Sequence, residues 1–198
     1  MASILKVDTI QDQSGNNIIN ESADTITIGA SGDTVTVPTG ATLTVPNGGL
    51  SGQNYPAFEA NRTSIFLLPN TTITKVQFDN EVFDTNGYYD NATNYRFTPL
   101  VAGKYMVYST MSISENNSTT LNAGYGYIYK NGSLHSAQYV AYLNNPGQIA
   151  GITLNSVVEF NGTTDYVEIF AYMNSTSHTG VSEGVLETSN FGAYRIGA

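Results

Sequence analysis

Polar and apolar residues alternate with a period of two along most of the chain, and no stretch has the apolar spacing of an amphipathic helix. The clearest example is the run KYMVYSTMSI at residues 104–113, in which both faces of the predicted strand carry large or apolar groups. A strand with two such faces has no side for solvent. We therefore expect one face to pack in a core and the other to pack against something else, such as another subunit.

Short repeats follow one another between residues 24 and 49, and they read DTITIGASG, DTVTVPTG and ATLTVPNGG. Each repeat predicts a short Thr-apolar-Thr-apolar strand that ends in a Gly/Pro turn. One repeat buries only two aliphatic side chains, so a single chain cannot close a core, whereas three chains around a threefold axis could. A flexible Thr/Gly-rich linker is the alternative, but the strict alternation favours a trimeric β-shaft over residues 24–52. The apolar residues predicted to line its shared interior are Ile26, Ile28, Val35, Val37, Leu43 and Val45.

The first 23 residues predict a small hairpin, with one strand at residues 4–7, another at Ile18 and Ile19, and a turn at residues 14–16. An isolated hairpin of this size is marginally stable in water. We therefore expect residues 1–23 to be ordered against a partner. The apolar residues predicted to contact that partner are Ile4, Leu5, Val7 and Ile10.

A change of composition marks the C-terminal part, because all 14 tyrosines and all eight phenylalanines lie beyond Asn54. The sequence GGLSG at residues 48–52 is the best candidate for a joint, and residues 53–198 are predicted to form the second domain. Asn131-Gly132 and Asn161-Gly162 are hairpin turn signals. Closely spaced strands with such turns are typical of a sandwich or jelly roll. The predicted strands are 58–62, 74–78, 95–99, 104–114, 125–129, 136–142, 151–160, 166–172 and 191–196.

The charge and composition of the chain argue against several classes of function. Charged residues are only 12% of the chain, and the scarcity of strong helix formers indicates an all-β protein. The net charge of −9, with only seven Lys and Arg, argues against a nucleic-acid partner. No apolar run approaches the length of a membrane span, so we expect no membrane insertion. Cysteine is absent, which excludes disulfides and cysteine-based zinc sites.

Residues that could carry chemistry are few, and we expect no enzymatic activity and no cofactor. His135 and His178 lie in Ser/Thr-rich sequence without a catalytic spacing motif, and a surface position is the expected one for each. Asp79, Glu81 and Asp84 predict a solvated acidic loop, and a calcium ion near this loop is a further hypothesis that no ligand spacing supports.

Tyrosines are the other candidates for a binding site. Those in predicted loops, which could stack on sugars or anchor protein contacts, are Tyr88, Tyr89, Tyr95, Tyr139 and Tyr142. The alternative for each of them is packing. The tyrosines on predicted strands, which we assign to core or subunit-interface packing, are Tyr105, Tyr125, Tyr127 and Tyr129.

A series of landmarks in residues 55–198 resembles the C1q/TNF-like jelly-roll domain. The main landmark is Phe97-x-Pro99-x-x-Ala102-Gly103-x-Tyr105, and the others are Phe58-x-Ala60, Lys75-Val76-x-Phe78-Asp79, Tyr129-Lys130-Asn131-Gly132, Asp165-Tyr166-Val167 and Phe191-Gly192-Ala193-Tyr194. Val107 departs from the pattern, because the family often has Phe there. The resemblance implies a homotrimer with one sheet of each jelly roll around the axis. On strand 104–113 we then assign Met106, Tyr108 and Thr110 to the axis side, and Tyr105, Val107 and Met111 to the core.

The N-terminal sequence is similar to the openings of structural proteins of tailed phages, through residues 3–8 and the first repeat at residues 24–29. This resemblance implies a fibre on the exterior of the virion, attached to other virion proteins by residues 1–23. The C1q-like head would then meet a host cell-surface glycan or protein. A capsid or tail decoration or cement protein, with a purely structural head, is the alternative.

Overall fold

A computed structural model of the chain describes residues 9–11, 13–15, 17–22, 25–29, 31–42, 56–115, 119–179 and 183–197. The chain divides into two compact units, Met1–Leu50 and Ser51–Ala198. The described residues form strands and turns, as an all-β protein requires, and they contain no helix that could cross a membrane.

The N-terminal unit contains a small antiparallel sheet. Its strands are β1 (Thr9–Gln11), β2 (Asn17–Ser22) and β3 (Thr25–Ile28), and β2 lies in the centre. Ile10 lies opposite Ile19, and Ile19 lies opposite Ile28, so the three form one row across the sheet. These side chains are 40%, 37% and 57% exposed. The sheet therefore presents an apolar row to solvent. The strand predicted at residues 4–7 lies outside the described residues.

The predicted shaft strands are formed only in part. The first repeat forms β3, which pairs with β2 rather than with a following repeat. The second repeat is not a strand, and Val35 and Val37 are 63% and 43% exposed. Within the described part of a single chain, residues 33–38 belong to no strand ladder, and the strand predicted for this repeat in a trimeric shaft stays a prediction. Leu43 and Val45 lie outside the described residues.

Two antiparallel sheets form the C-terminal unit. Sheet 1 has the order β5-β15-β10-β16-β4-β7, with β13 also paired to β10, and sheet 2 has the order β12-β11-β14-β9-β8, with β6 also paired to β14. The strands are β4 (Ala57–Asn61), β5 (Phe66–Leu67), β6 (Thr74–Lys75), β7 (Asn80–Asp84), β8 (Tyr89–Asp90), β9 (Arg96–Phe97), β10 (Gly103–Glu115), β11 (Leu121–Lys130), β12 (Ser133–Ala141), β13 (Ile149–Phe160), β14 (Val167–Ser175), β15 (Glu183–Val185) and β16 (Asn190–Gly197).

Aromatic and aliphatic side chains from both sheets meet in one core. The Phe58 ring stacks on Phe97 with ring centroids 4.4 Å apart and meets Phe191 edge-on at 4.9 Å. Such pairs add to the stabilisation from burial alone. The residues assigned to the core face of strand 104–113 are indeed fully buried, and they are Tyr105, Val107 and Met111. Burial raises the pKa of the Tyr105 phenol to about 12.

One of the two predicted hairpin turns is confirmed. Asn131 and Gly132 join β11 to β12 with φ of 52° and 74°, the left-handed conformations of a tight hairpin turn. Asn161-Gly162 instead connects β13 of sheet 1 to β14 of sheet 2, so the predicted hairpin is wrong there. The Asn161 side-chain oxygen accepts hydrogen bonds from the backbone amides of residues 163–165, which stabilises this wider turn.

The acidic segment after Phe78 also differs from our expectation. Residues 80–84 form β7, which pairs with β4 at the edge of sheet 1, so the predicted solvated loop is a strand. Asp79 lies 2.9 Å from the Arg62 guanidinium. Asp84 accepts hydrogen bonds from the backbone amides of Asn86, Gly87 and Tyr89. These two carboxylates therefore bind neighbouring protein groups.

Candidate functional site

Strand β11 places alternate residues of the sequence AGYGYIY on opposite faces of sheet 2. Gly124, Gly126 and Ile128 point into the core, and they are buried. A Cβ atom on Gly126 would lie 2.5 Å from Met111 Cε and 3.0 Å from Ile152 Cγ2, so any side chain there would force its neighbours to move. Since the glycines fill the inward positions, the bulky tyrosines of β11 all point outward.

The outward tyrosines meet aromatic rings from both neighbouring strands. Tyr125 lies directly opposite Tyr139 of β12 and Tyr172 of β14, with ring centroids 5.1 Å and 5.3 Å away. The Tyr129 and Phe170 centroids are 4.4 Å apart. We call this continuous set the aromatic platform, and it consists of Tyr125, Tyr127, Tyr129, Tyr139, Phe170 and Tyr172.

The aromatic platform combines apolar ring faces with polar edges. Tyr139 is 63% exposed, and the other rings are half-buried. Partial burial, together with the neighbouring tyrosines, raises the pKa of the Tyr127 phenol. At one end of the platform, Lys75 and Glu168 form an ion pair of 2.5 Å. A flat surface of this kind suits ligands that have both apolar and hydroxyl-bearing faces.

The strand tyrosines were partly misassigned. Tyr105 is in the core, whereas Tyr125, Tyr127 and Tyr129 lie on the outward face of sheet 2. Core packing is therefore wrong for these three, and their assignment to a subunit interface stays a prediction. Alternation alone shows that a strand has two faces and does not show which one is inside. The glycines at 124 and 126 could have indicated the inward face, because a glycine in a strand often marks a place where another part of the protein approaches closely. The tyrosines that alternate with them must then point outward.

The tyrosines predicted to bind a ligand are not together. Tyr139 belongs to the aromatic platform. Tyr142 packs against Gly147 and donates a hydrogen bond of 2.6 Å to the Ile149 carbonyl. Tyr89 is buried in the core, where its ring stacks on Phe58 and its hydroxyl donates to the Phe78 carbonyl. The structure therefore gives Tyr89 a packing role.

Tyr88 lines a shallow cleft of about 320 Å³ together with Tyr89, Asp90, Asn94 and Arg96. The polar groups of this cleft are largely engaged by the protein itself. The Asp90 carboxylate accepts hydrogen bonds from the backbone amides of residues 92–94, which lowers its pKa to about 2. Arg96 lies over the Tyr166 ring, with 4.4 Å between the guanidinium carbon and the ring centroid. Tyr95 adopts a left-handed conformation with φ of 50° in the loop beside the cleft.

The outward face of sheet 1 carries the residues assigned to the axis side. Met106 lies between Val157 of β13 and Tyr194 of β16, which are 49% and 39% exposed. The Tyr108 hydroxyl donates a hydrogen bond of 2.7 Å to Glu59, and the pKa of Tyr108 is raised by burial and by this carboxylate. Thr110 is exposed on the same face. This face therefore carries an apolar row, made of Met106, Val157 and Tyr194, that a single chain leaves partly in contact with water.

The two histidines have different surroundings. His135 is exposed on β12, and its ring nitrogen lies 3.0 Å from the Ser156 hydroxyl. His178 has a side chain only 16% exposed beside the buried carboxylates of Glu115 and Glu183, so its predicted surface position is wrong. Sequence could not indicate this cluster, because more than sixty residues separate Glu115 from the other two.

Comparison with known proteins identifies the fold. No protein-family model and no curated sequence matches the chain. Among solved structures, the globular domain of zebrafish complement 1qA protein is similar at 16% identity and a TM-score of 0.51, over 71% of this chain and 97% of that one. Murine APRIL is similar at 10% identity and a TM-score of 0.49, over 71% and 98%. The complement structure confirms that the chain contains a C1q/TNF-like jelly roll.

Proposed function

We propose that the protein is a homotrimeric fibre-type structural protein of a tailed phage, whose N-terminus binds other virion proteins and whose C1q-like head adheres to the host surface. The phage context is supported by the short N-terminal similarity at residues 3–8 and 24–29. Adhesion by many such heads on one particle gains strength from multivalency. The observation that supports adhesion most directly is the aromatic platform.

The trimer is supported by the outward face of sheet 1. Met106, Val157 and Tyr194 form an apolar surface there, and Phe83 of β7 adds a ring that is 45% exposed. Contiguous apolar surface on one face of a sheet is typical of an interface with another subunit. Packing this face around a threefold axis would also leave the opposite sheet, and with it the aromatic platform, on the outside of the trimer.

Sedimentation equilibrium of the full chain tests the trimer. We expect a mass of about three times the 21.2 kDa of one chain. A mass equal to one chain at micromolar concentration would refute the threefold arrangement of the head and of the shaft.

The aromatic platform is the proposed contact with the host, and its chemistry favours a saccharide. Ring faces can stack on the apolar faces of sugars, while the phenol hydroxyls and the Lys75–Glu168 pair can exchange hydrogen bonds with sugar hydroxyls. Stacking on an exposed aromatic ring typically contributes on the order of 1 kcal/mol per contact. Each head would then bind weakly, and the particle would bind strongly.

A cell-binding experiment compares the full-length protein with the variants Tyr139→Ala and Leu143→Ala. Leu143 is 90% exposed outside the platform, so its replacement is a matched loss of exposed apolar surface. We expect Tyr139→Ala to reduce binding to susceptible bacteria several-fold and Leu143→Ala to leave it unchanged. Mild periodate oxidation of the cells should abolish binding if the ligand is a glycan, whereas protease treatment should do so if it is a protein. Negligible binding by the unmodified protein would favour the decoration or cement function.

Attachment to the particle is supported by the exposed row Ile10, Ile19 and Ile28 on the N-terminal sheet. An apolar row on so small a sheet needs a partner to cover it. Electron microscopy of labelled particles should place residues 1–23 at the virion surface and the head away from it. Labelling of the head at the particle surface would refute this orientation.

A further inference from the structure

A cluster of potential metal ligands lies at one end of sheet 1, away from the aromatic platform. Glu115 is the last residue of β10, Glu183 is the first of β15, and His178 lies in the segment that follows β14. One ligand atom from each of these residues lies within 4.8 Å of the other two. The topology therefore brings together one imidazole and two carboxylates from three separate parts of the chain.

The two carboxylates are placed where a cation is needed. Glu115 and Glu183 lie directly opposite each other in the β10–β15 ladder, and their side chains are 0% and 2% exposed. Like charges at directly opposed positions destabilise a sheet. Burial adds to this cost, because a buried carboxylate loses its hydration and must be compensated by a charge or by hydrogen bonds.

The protein's own groups compensate this pair only in part. Glu115 Oε1 is buried without a hydrogen-bond partner. His178 Nδ1 lies 2.7 Å from Glu183 Oε2 and 3.8 Å from Glu115 Oε1, and it forms a hydrogen bond with neither. A protonated imidazole would carry one positive charge against two negative ones. A divalent cation would balance both.

The carboxylates are held by neighbouring polar groups, as those of a metal site usually are. Thr179 donates to Glu183 from its backbone amide at 2.8 Å and from its hydroxyl at 2.6 Å. The Thr120 hydroxyl donates to Glu115 Oε2 at 3.4 Å, which leaves Oε1 directed towards His178. Such outer contacts orient ligands and tune their affinity for the metal.

We propose that Glu115, His178 and Glu183 bind one divalent transition-metal ion of the zinc type. Ligand atoms on a tetrahedron with bonds of about 2.1 Å are about 3.4 Å apart. The two separations from His178 Nδ1, 2.7 Å and 3.8 Å, lie on either side of this value, and all three atoms lie within 4.8 Å of one another. The imidazole nitrogen favours zinc over calcium, which prefers oxygen ligands throughout. With these three ligands from the described residues, a fourth position would be open to water. The ion would link the C-terminal end of β10 and the N-terminal end of β15 to the segment that follows β14.

Metal titration of the full-length protein tests this proposal. After treatment with a chelator and its removal, we expect calorimetry with zinc chloride to give one ion per chain, and zinc to raise the melting temperature. Cobalt chloride should produce the visible absorption of a tetrahedral cobalt site, which reports coordination directly and does not depend on any variant. The proposal fails if neither zinc nor cobalt binds, or if calcium chloride binds more tightly than zinc.

Variants assign the binding to these side chains. Loss of an outer contact typically weakens metal binding about 10–100-fold, so loss of a ligand in His178→Gln or Glu115→Gln should weaken it by about 100-fold or more. The matched control is His135→Gln, because the chain has only two histidines. Without metal, Glu115→Gln should melt no lower than the unmodified protein, because it removes one of two opposed buried charges. Zinc binding that survives His178→Gln, or that is lost in His135→Gln, would overturn the assignment.

Discussion

Replacement of Gly126 by alanine tests why the tyrosines of the aromatic platform point outward. The new methyl group would lie 2.5 Å from Met111 Cε, 3.0 Å from Ile152 Cγ2 and 3.2 Å from Leu154 Cδ1. The Met111 side chain can move aside because its end is flexible, but the two branched side chains must each shift by a few tenths of an ångström. Overpacking of this kind costs about 1–3 kcal/mol of the free energy of unfolding.

A second effect of the same substitution has the opposite sign. Alanine restricts the unfolded chain more than glycine does, which stabilises the folded state by about 0.4–1 kcal/mol. Gly151→Ala on β13 isolates this term within one chain, because no atom beyond its chain neighbours lies within 4 Å of the added methyl group. We therefore expect Gly126→Ala to be less stable than Gly151→Ala by about 1–3 kcal/mol, the overpacking term alone.

The assay is urea unfolding of both variants at one protein concentration, since a trimer's stability depends on concentration. A double variant locates the clash: Met111→Leu removes the Cε atom, so its combination with Gly126→Ala should cost at least about 0.5 kcal/mol less than the sum of the single changes. Equal stability of Gly126→Ala and Gly151→Ala would refute the view that the glycines of β11 are required by close packing of the two sheets.

Further predictions concern the core, the cleft and the trimer. Tyr89→Phe should lower the free energy of unfolding by about 1–3 kcal/mol, because the buried Phe78 carbonyl loses its hydrogen-bond donor. Cell binding should not change. A loss of binding without a loss of stability would indicate that Tyr89 contacts the ligand. Because the pKa of Asp90 is lowered from 3.8 to about 2, its carboxylate stabilises the fold above pH 3.8, and this stabilisation is lost as the pH falls to about 2. Asp90→Asn should therefore flatten the dependence of the free energy of unfolding on pH over that window. Parallel profiles for the variant and the unmodified protein would contradict this. Met106→Glu places a charge in the proposed interface and should reduce the mass measured by sedimentation to that of one chain. Ala137→Glu on sheet 2 is the control and should leave the mass unchanged. A Met106→Glu protein that remains trimeric would show that the interface does not include this face.

Long alternating strands were the part of the fold that the sequence predicted well. The run at residues 104–113 lies within β10, and its predicted core residues Tyr105, Val107 and Met111 are all buried. The landmarks around Pro99 and Gly103 led to the C1q/TNF-like jelly roll. These features were predictable because they depend on local alternation and on turn chemistry, which a single stretch of sequence contains.

Short strands and long-range clusters were not predictable in the same way. β5, β8 and β15 have only two or three residues each, too few to show a period, and they exist because a neighbouring strand pairs with them. The acidic residues of β7 suggested a loop, but pairing with β4 makes them an edge strand. Likewise, the aromatic platform combines β11 with β12 and β14, and its extent follows from strand register rather than from any local motif.

The outward faces of the two sheets differ in the side chains that they expose, and under the proposed function each face has its own partner. On sheet 1, Met106, Val157 and Tyr194 leave a row of apolar groups partly in water, and this row would gain from being covered permanently. On sheet 2, the rings of the aromatic platform already stack on one another, and their hydroxyls can bind water. This face is therefore stable without a partner and available for reversible contact. Under the proposed function, sheet 1 would form a permanent subunit interface and sheet 2 would make an intermittent contact with the host.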